Sequence, residues 1–288
     1  MANIQLNYGK TNFNFEYSEN QFQVLGKQTD YSPLSDAEIG ERLDNPFDAK
    51  PLEEIIGSDE TVLLVVPDAT RQVGAGQIVN LLVRRLIANG IMPFNIRIIF
   101  AVGIHRAVTE AEKSEILTPF IVQWVKTLEH NSKNLADIVK LGKTKRGIPI
   151  ELNKALKEHD HVILVGGITF HYFAGFTGGR KSICPGLGSS RTISETHKLA
   201  FDFELKTRRE GVGLGLLEGN PVHEEFMEVG EAINPSFCIS TVTNDKGEII
   251  DLNCGDWKTS HKHACEIYAE KNTLKISEKR DLVIVSSG

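Results

Sequence analysis

Polar side chains follow three short apolar runs of the sequence, at the point where each run ends. The runs cover residues 62–66, 96–102 and 162–165. The polar residues that follow them are Asp68, Arg71, His105, His171 and Lys181. If the runs are neighbouring strands of an open α/β sheet, these side chains converge at the carboxyl ends of the strands, where such sheets bind ligands. The pattern therefore predicts a small-molecule site.

The two histidines, His105 and His171, are the residues best suited to acid–base chemistry. Imidazole titrates near neutral pH, and two such groups can move protons on two sides of a substrate. Taken singly, each histidine is more simply explained by a hydrogen bond to backbone in a turn. Asp68 and Arg71 have an equally simple structural explanation, an ion pair at the start of a helix.

The segment 175–182 is rich in glycine and basic residues. Glycines such as Gly178 and Gly179 let backbone N–H groups approach an anion. The phosphate-loop pattern GxxxxGK[ST] is not satisfied, because Arg180 separates Gly179 from Lys181. The apolar residues that follow argue against a solvated surface loop. Burial in such a frame would lower the pKa of Lys181 and make its amine nucleophilic.

Four further histidines lie in segments with helical patterning. His197 falls in a predicted helix over residues 189–200, on an apolar face, which by itself indicates a core histidine bonded to backbone. His223, His261 and His263 are interpreted as structural. Two of them are only two residues apart, so they do not share a helix face and make a poor metal site.

Strands that alternate with helices predict an α/β fold with a mostly parallel, Rossmann-like sheet and helices on both faces. Small β elements accompany it, within residues 1–30 and in a hairpin formed by 236–242 and 248–251. The predicted helices are 77–88, 189–200, 221–232 and 256–271, and capping boxes mark helix starts at Ser35 and Thr109. A last buried strand is predicted over 281–285, either as the start of a second domain or as the final strand of this sheet.

Composition and charge argue against several classes of protein. The 288 residues are 41% hydrophobic and 24% charged with a net charge of −6, which is typical of a soluble globular chain. The absence of a basic stripe argues against nucleic acid as a partner, and the absence of a long apolar stretch argues against a membrane span. Four cysteines without a CxxC pair favour a reducing, cytoplasmic location.

Several motifs in one order carry a family resemblance. They are PDATR at 67–71, GIHR at 103–106 and HYFAGFTGGRKSICPG at 171–186, followed by His197. Together they resemble the lactate racemase family that uses a nickel-pincer nucleotide. The resemblance implies an N-terminal cofactor- and nickel-binding catalytic domain over residues 1–275, with 276–288 as the start of a truncated C-terminal domain. Without that second domain the isolated chain is expected to be inactive.

The resemblance also implies a cofactor, an isomerase activity and roles for the site residues. The cofactor would be a nickel(II) pyridinium-3-thioamide-5-thiocarboxylic acid mononucleotide, joined to Lys181 as a thioamide, with His197 as the protein ligand of nickel. A planar set of four ligands suits Ni(II). His105 and His171 would be the acid–base pair of a 2-hydroxy acid racemase or epimerase. Residues expected to hold nucleotide or substrate are Asp68, Thr70, Arg71, Gly178, Gly179 and Arg180. The implied partners are a small 2-hydroxy acid and the proteins that synthesise the cofactor.

Two other classes remain open from the residues alone. Lys181 and the glycine-rich segment could serve a Schiff-base lyase or a phosphate-ester enzyme. A non-catalytic nucleotide-binding module is the second alternative, and it predicts that the histidines affect only ligand affinity.

Overall fold

The structure is a computed structural model that describes residues 1–9, 11–25, 31–244, 246–274, 276 and 278–286. Two compact units are present. One comprises residues 1–30 and 270–288, and the other comprises residues 31–269. Among the described residues, no helix combines the length and apolar character that a membrane span requires.

The first unit contains one antiparallel hairpin, formed by β1 (Ala2–Tyr8) and β2 (Thr11–Tyr17). This agrees with the predicted hairpin, although Lys10, which the sequence places between the two strands, lies outside the described residues. The strand predicted over 281–285 is not formed, which corrects that prediction. Leu282 and Val283 are 64% and 72% exposed, and a strand needs both hydrogen-bonded neighbours and a buried face to be stable.

The second unit begins with helices and the first strands of its central sheet. These elements are α1 (Asp36–Asp44), α2 (Leu52–Ile55), β3 (Val62–Pro67), α3 (Ala75–Ala88), β4 (Ile96–Ala101), α4 (Glu110–Ile116), α5 (Pro119–Trp124) and β5 (Lys126–Leu128). Both predicted capping boxes, Ser35 with Glu38 and Thr109 with Glu112, are present.

The remaining elements include the other three strands of the central sheet. They are β6 (Ile138–Lys143), β7 (Pro149–Asn153), α6 (Ala155–Glu158), β8 (His161–Gly167), β9 (Phe170–His171), β10 (Gly175–Phe176), α7 (Ser190–Lys198), β11 (Phe201–Asp202), β12 (Thr207–Arg208), α8 (Pro221–Glu231), β13 (Phe237–Thr243), β14 (Ile249–Gly255) and α9 (Thr259–Asn272). Strands β8, β13 and β14 belong to the central sheet. The hairpin of β6 and β7 was not predicted. Asp245, which the sequence places between β13 and β14, lies outside the described residues.

The central sheet has six strands in the order β14-β13-β8-β3-β4-β5. All neighbours are parallel except β13 and β14, which are antiparallel. The three strands that carry the polar clusters, β8, β3 and β4, are adjacent. This confirms the α/β prediction and the strand adjacency on which the predicted site depends.

Alternate side chains of β3 enter separate hydrophobic cores on the two faces of the sheet. Val62, Leu64 and Val66 pack with α3 on one face, whereas Leu63 packs with residues of α8 on the other. A strand buried on both faces is encoded as a continuous apolar run rather than an alternating one. Helices therefore cover both faces, as predicted, and polar groups gather at the strand ends.

Candidate functional site

A cavity of about 710 Å³ opens at the carboxyl ends of β3, β4 and β8. Its walls are the loops that follow these strands and one face of α7. The predicted site residues that line it are Asp68, Thr70, Arg71, His105, His171, Gly178, Lys181 and His197. The structure therefore brings most of the predicted site into one place.

His105 is held by a carboxylate at the end of the neighbouring strand. Its Nδ1 lies 2.7 Å from Oδ2 of Asp68, and Asp68 is only 6% exposed. The other carboxylate oxygen accepts hydrogen bonds from the Thr70 backbone N–H at 3.1 Å and from its hydroxyl at 2.5 Å. Since an ionised carboxylate only accepts, Nδ1 of His105 donates, and its Nε2 keeps a lone pair that can take a proton.

His171 has the opposite arrangement. Its Nδ1 accepts the backbone N–H groups of Phe173 and Ala174, each at 3.1 Å. The pKa of His171 is lowered to about 3, chiefly by burial and to a smaller extent by the Lys181 and Arg71 cations. His171 is therefore a neutral ring in this site.

Lys181 follows the glycine-rich loop, in the short 3₁₀ turn Gly179–Ser182. The pKa of Lys181 is lowered to about 7, chiefly by burial and to a smaller extent by the neighbouring Arg180 and Arg71 cations. Its Nζ lies 5.2 Å from the ring centroid of Phe226 on α8. An amine with this pKa is substantially neutral at physiological pH, as a nucleophile must be.

His197 lies on the face of α7 that lines the cavity, together with Ser190, Ile193 and Ser194. Residues three, four and seven apart share one helix face, which explains the stripe. The Nδ1–H of His197 donates to the Ile193 carbonyl at 2.8 Å, so Nε2 has a free lone pair. The predicted backbone bond is thus present, but the ring faces a cavity rather than a closed core.

The environment of His197 suits a metal ligand. Burial lowers the pKa of this imidazole and Lys181 adds to the effect, while the bond to Ile193 opposes it. A ligating histidine usually donates its second ring N–H to a carbonyl or carboxylate, which fixes the tautomer. Among the described residues, no three His, Cys, Asp or Glu side chains are grouped so as to hold a metal by themselves. His197 would be a single protein ligand.

The glycines before Lys181 are required by tight packing. Gly179 has a φ of +50°, and a Cβ there would lie 2.6 Å from Cδ2 of His261. Gly178 has a φ of +76°, and a Cβ there would lie 2.9 Å from Cδ1 of Ile168. Only glycine combines this left-handed backbone with so close an approach. Gly178 lines the cavity, whereas Gly179 packs behind it against His261.

The two arginines of the predicted site lie in different places. Arg71 lines the cavity and is exposed, and within the described part of the chain it forms no ion pair with Asp68. Arg180 is fully buried, and its guanidinium donates to the Ala174 carbonyl at 2.7 Å and lies 2.9 Å from Nε2 of His261. The structure does not bring Arg180 to the cavity wall, so we no longer interpret it as a substrate contact.

Several residues of the site were not identified from the sequence. Tyr172 lines the cavity and stacks on His171 with ring centroids 4.9 Å apart. Phe226 contributes the aromatic surface that both Lys181 and His197 face. Tyr172 adjoins a predicted site residue and could have been found by that signal. Phe226 is an ordinary apolar position of a helix far along the chain.

Comparison with known proteins supports one family. The model of the lactate racemase N-terminal domain matches residues 8–207. A curated lactate racemase of Lactiplantibacillus plantarum is 30% identical over 293 residues, and one of Thermoanaerobacterium thermosaccharolyticum is 29% identical over 292 residues. Each alignment covers 100% of this chain and 67% of the relative, so the chain spans about two thirds of their length.

Two solved structures resemble this chain. The lactate racemase apoprotein from Thermoanaerobacterium thermosaccharolyticum superposes with a TM-score of 0.84 at 27% identity, covering 93% of this chain and 62% of that one. A protein from Thermotoga maritima superposes with a TM-score of 0.66 at 22% identity, covering 83% of this chain and 60% of that one. The second likeness concerns the fold alone.

Proposed function

The chain belongs to the lactate racemase N-terminal domain family, and from this premise we propose that it is an isomerase that racemises lactate or a similar 2-hydroxy acid with a nickel-pincer nucleotide. The observation that carries the proposal is the meeting of Lys181, His197, His105 and His171 around one cavity. These residues come from four separate segments, and Lys181, His197 and His105 each have the protonation or lone pair that the proposed role requires.

Two side chains of the cavity fit the cofactor. The Lys181 amine, with a pKa lowered by burial to about 7, is suited to form an amide-like bond to the nucleotide. His197 presents Nε2 as a neutral donor, since its Nδ1–H is bonded to Ile193. Imidazole is a donor that suits Ni(II). When bound, the group would supply a hydride acceptor.

The remaining residues position the substrate and the nucleotide. Arg71 offers a cation for a carboxylate, and it is exposed on the cavity wall. Asp68 orients His105, whose Nε2 takes the hydroxyl proton of the 2-hydroxy acid. The backbone N–H groups around Gly178 can approach a phosphate closely because glycine has no side chain. We place substrate binding on Arg71 and nucleotide binding on Asp68, Thr70 and the glycine loop.

The proposal extends to partners and location. Cofactor-synthesis proteins must act before the chain is active, because the nucleotide is not an ordinary metabolite. Four buried free cysteines are consistent with the reducing cytoplasm. We retain the predicted catalytic domain over 1–275, and 276–288 as the start of a second domain.

A chiral assay tests the activity. The protein is produced together with cofactor-synthesis proteins and supplied with D-lactate, and the appearance of L-lactate is followed. We expect conversion in both directions, and its loss in His105→Gln. His159→Gln is the matched control, because His159 lies at the other end of the sheet and bonds to backbone. Conversion that survives in His105→Gln at the wild-type rate would contradict the proposal.

Lysine-dependent carbonyl chemistry is the second candidate, and the lowered pKa of Lys181 favours it. A neutral amine can form a Schiff base with a carbonyl substrate. Borohydride trapping with 2-oxo acids separates the two functions. A trapped adduct at Lys181 in protein that carries no nickel would favour the Schiff-base enzyme.

A further inference from the structure

The loop between β3 and α3 carries three of the proposed site residues, and its two parts are held in different ways. The first part, residues 68–71, is closed by its own bonds. The Arg71 N–H donates to the Asp68 carbonyl at 3.1 Å, and the Asp68 carboxylate accepts the N–H and the hydroxyl of Thr70. The second part, residues 72–74, leaves this turn and leads to α3, and it is held by side chains of another strand.

These side chains are two threonines of β13. The Thr241 hydroxyl donates to the Val73 carbonyl at 2.7 Å, and the Thr243 hydroxyl donates to the Gln72 carbonyl at 2.9 Å. Residues two apart in a strand project from the same face, so one strand presents both donors to two successive carbonyls. Among the described residues, these are the only hydrogen bonds that join residues 69–73 to another element.

The loop crosses the carboxyl end of β8 to reach these threonines, because β8 lies between β3 and β13 in the sheet. The end of β8 leaves room for the crossing, since a Cβ at Gly167 would lie 2.4 Å from Cγ1 of Val73. Gly167 is also the residue that pairs with Thr241 in the parallel ladder. The loop is therefore seated over a glycine and fastened beyond it by the two hydroxyls.

Arg71 is the residue of this loop whose placement depends most on the seat. Its side chain is exposed, and within the part of the chain that the structure describes its guanidinium has no hydrogen bond or ion pair. Its charge nevertheless reaches His171 and Lys181 in the cavity, where it contributes to the lowered pKa of each. A side chain without polar partners takes its direction from its backbone. The Arg71 backbone is held on one side by Asp68 and on the other by the bonded carbonyl of Gln72.

We propose that Thr241 and Thr243 are positioning residues that keep Arg71 directed into the cavity. The proposal rests on the function proposed above, in which Arg71 binds the substrate carboxylate. Asp68 follows β3 directly and is bonded to His105, so the acid–base part of the site does not depend on the threonines. Loss of a threonine hydroxyl therefore weakens substrate binding and leaves the turnover of bound substrate unchanged.

Steady-state kinetics of the cofactor-loaded protein with D-lactate tests this division. Thr243 is the residue to change, because Thr241 is fully buried and its loss would leave a buried carbonyl without a donor. Thr243→Val removes the hydroxyl and keeps a similar shape, whereas Thr243→Ser keeps the hydroxyl. A neutral hydrogen bond changes an equilibrium constant by up to about tenfold, so we expect KM to rise about three- to tenfold in Thr243→Val, with kcat unchanged. Thr243→Ser should behave as the wild type.

Thr61→Val is the matched control, because the Thr61 hydroxyl bonds to Asp160 at 2.7 Å, next to the amino end of β3. It should change neither KM nor kcat. A fall in kcat with KM unchanged in Thr243→Val, or an equal effect in Thr243→Ser, would overturn the proposal.

A double-mutant cycle tests whether the effect passes through Arg71. Arg71→Met should raise KM by itself, and Thr243→Val should then add nothing, because the side chain that it positions is gone. The same fold-increase of KM in both backgrounds would show that Thr243 acts elsewhere, and it would overturn the proposal.

The hold on the loop can also be measured in the chain without cofactor. Relaxation of the ¹⁵N nuclei of the Gln72 and Val73 amides gives their order parameters. We expect about 0.85, as in rigid backbone, in the wild type, Thr243→Ser and Thr61→Val, and a fall toward about 0.6 in Thr243→Val. An unchanged value in Thr243→Val would overturn the proposal. Since this measurement needs no activity, a failure of the proposed function and a failure of the threonine assignment are distinguishable.

Discussion

Replacing Arg180 by methionine should raise the pKa of Lys181 without touching the cavity wall. The guanidinium is fully buried behind the glycine loop, and its charge is the second cause, after burial, of the lowered pKa of Lys181. The hydrogen-bond partners of the guanidinium are the Ala174 carbonyl and His261 rather than a carboxylate, so the substitution removes a positive charge without leaving an unpaired negative one. The amine itself stays in its pocket beside Phe226.

The magnitude follows from the order of the causes. The pKa of Lys181 is lowered from 10.5 to about 7, and burial contributes most. Removal of Arg180 should therefore recover no more than about half of that interval, a rise of ~1 pH unit. The variant also leaves the Ala174 carbonyl without its donor, which costs about 1–3 kcal/mol of folding free energy. A thermal melt checks that the protein remains folded.

Competitive acetylation at a series of pH values measures this pKa. Trace acetic anhydride labels neutral amines, and mass spectrometry compares Lys181 with the exposed Lys198 as internal reference. We expect half-maximal labelling of Lys181 near pH 7 in the wild type and at a higher pH in Arg180→Met. Arg191→Met, which removes an exposed cation, is the control and should leave the midpoint unchanged. A wild-type midpoint near 10, or no movement in folded Arg180→Met, would refute the reasoning.

Three further predictions concern the loop, the lysine and the carboxylate. Gly179→Ala should lower the free energy of unfolding, measured in urea, by more than ~1 kcal/mol, because the φ of Gly179 is positive and a Cβ there would meet His261. Gly40→Ala is the control. It lies on an open helix face, so its effect should be neutral or slightly stabilising. Lys181→Met should stabilise the protein most below pH 7. Below pH 7 the wild type must bury a charged amine. Between about pH 7 and 10.5 the amine is neutral in the folded protein but still protonated in the unfolded chain, so the stability advantage of the variant in thermal melts should fade as the pH rises through this range. Asp68→Asn should lower racemisation at least ~100-fold in the chiral assay. The amide oxygen would still accept the hydrogen bonds from Thr70, so the amide N–H₂ would face His105 and donate to its Nδ1, which leaves the ring proton on Nε2. Activity within a few-fold of wild type would contradict this prediction.

The sequence predicted the features that local patterns encode. The apolar run before Asp68 specifies a strand buried on both faces, and Pro67 ends it. The polar residues after three such strands then meet because parallel strands present their carboxyl ends at one edge of a sheet. The capping box at Ser35 depends only on residues three apart, and it too was predicted correctly.

Features that depend on distant packing were not predictable in this way. The sequence pattern does not reveal that Arg180 turns inward to His261, 81 residues away, while the adjacent Lys181 faces the cavity. The contribution of Phe226 depends on how α8 packs on the sheet, and its position in an amphipathic helix gives no indication of a site. The tautomer of His171 depends on a turn geometry that brings two backbone N–H groups to one nitrogen. Residues 281–285 have the composition of a strand but lack neighbours to pair with among the described residues.

The most direct test of the central claim is nickel content together with the mass of the peptide that contains Lys181. The protein is produced with the cofactor-synthesis proteins as wild type, as His197→Gln and as His159→Gln. His159→Gln is the matched control, because the His159 ring, like that of His197, bonds to a carbonyl four residues earlier. We predict a nucleotide adduct on Lys181 with one nickel per chain in the wild type and in His159→Gln, and an adduct with strongly reduced nickel in His197→Gln. An unmodified Lys181 in nickel-loaded protein, or full nickel retention in His197→Gln, would contradict the account.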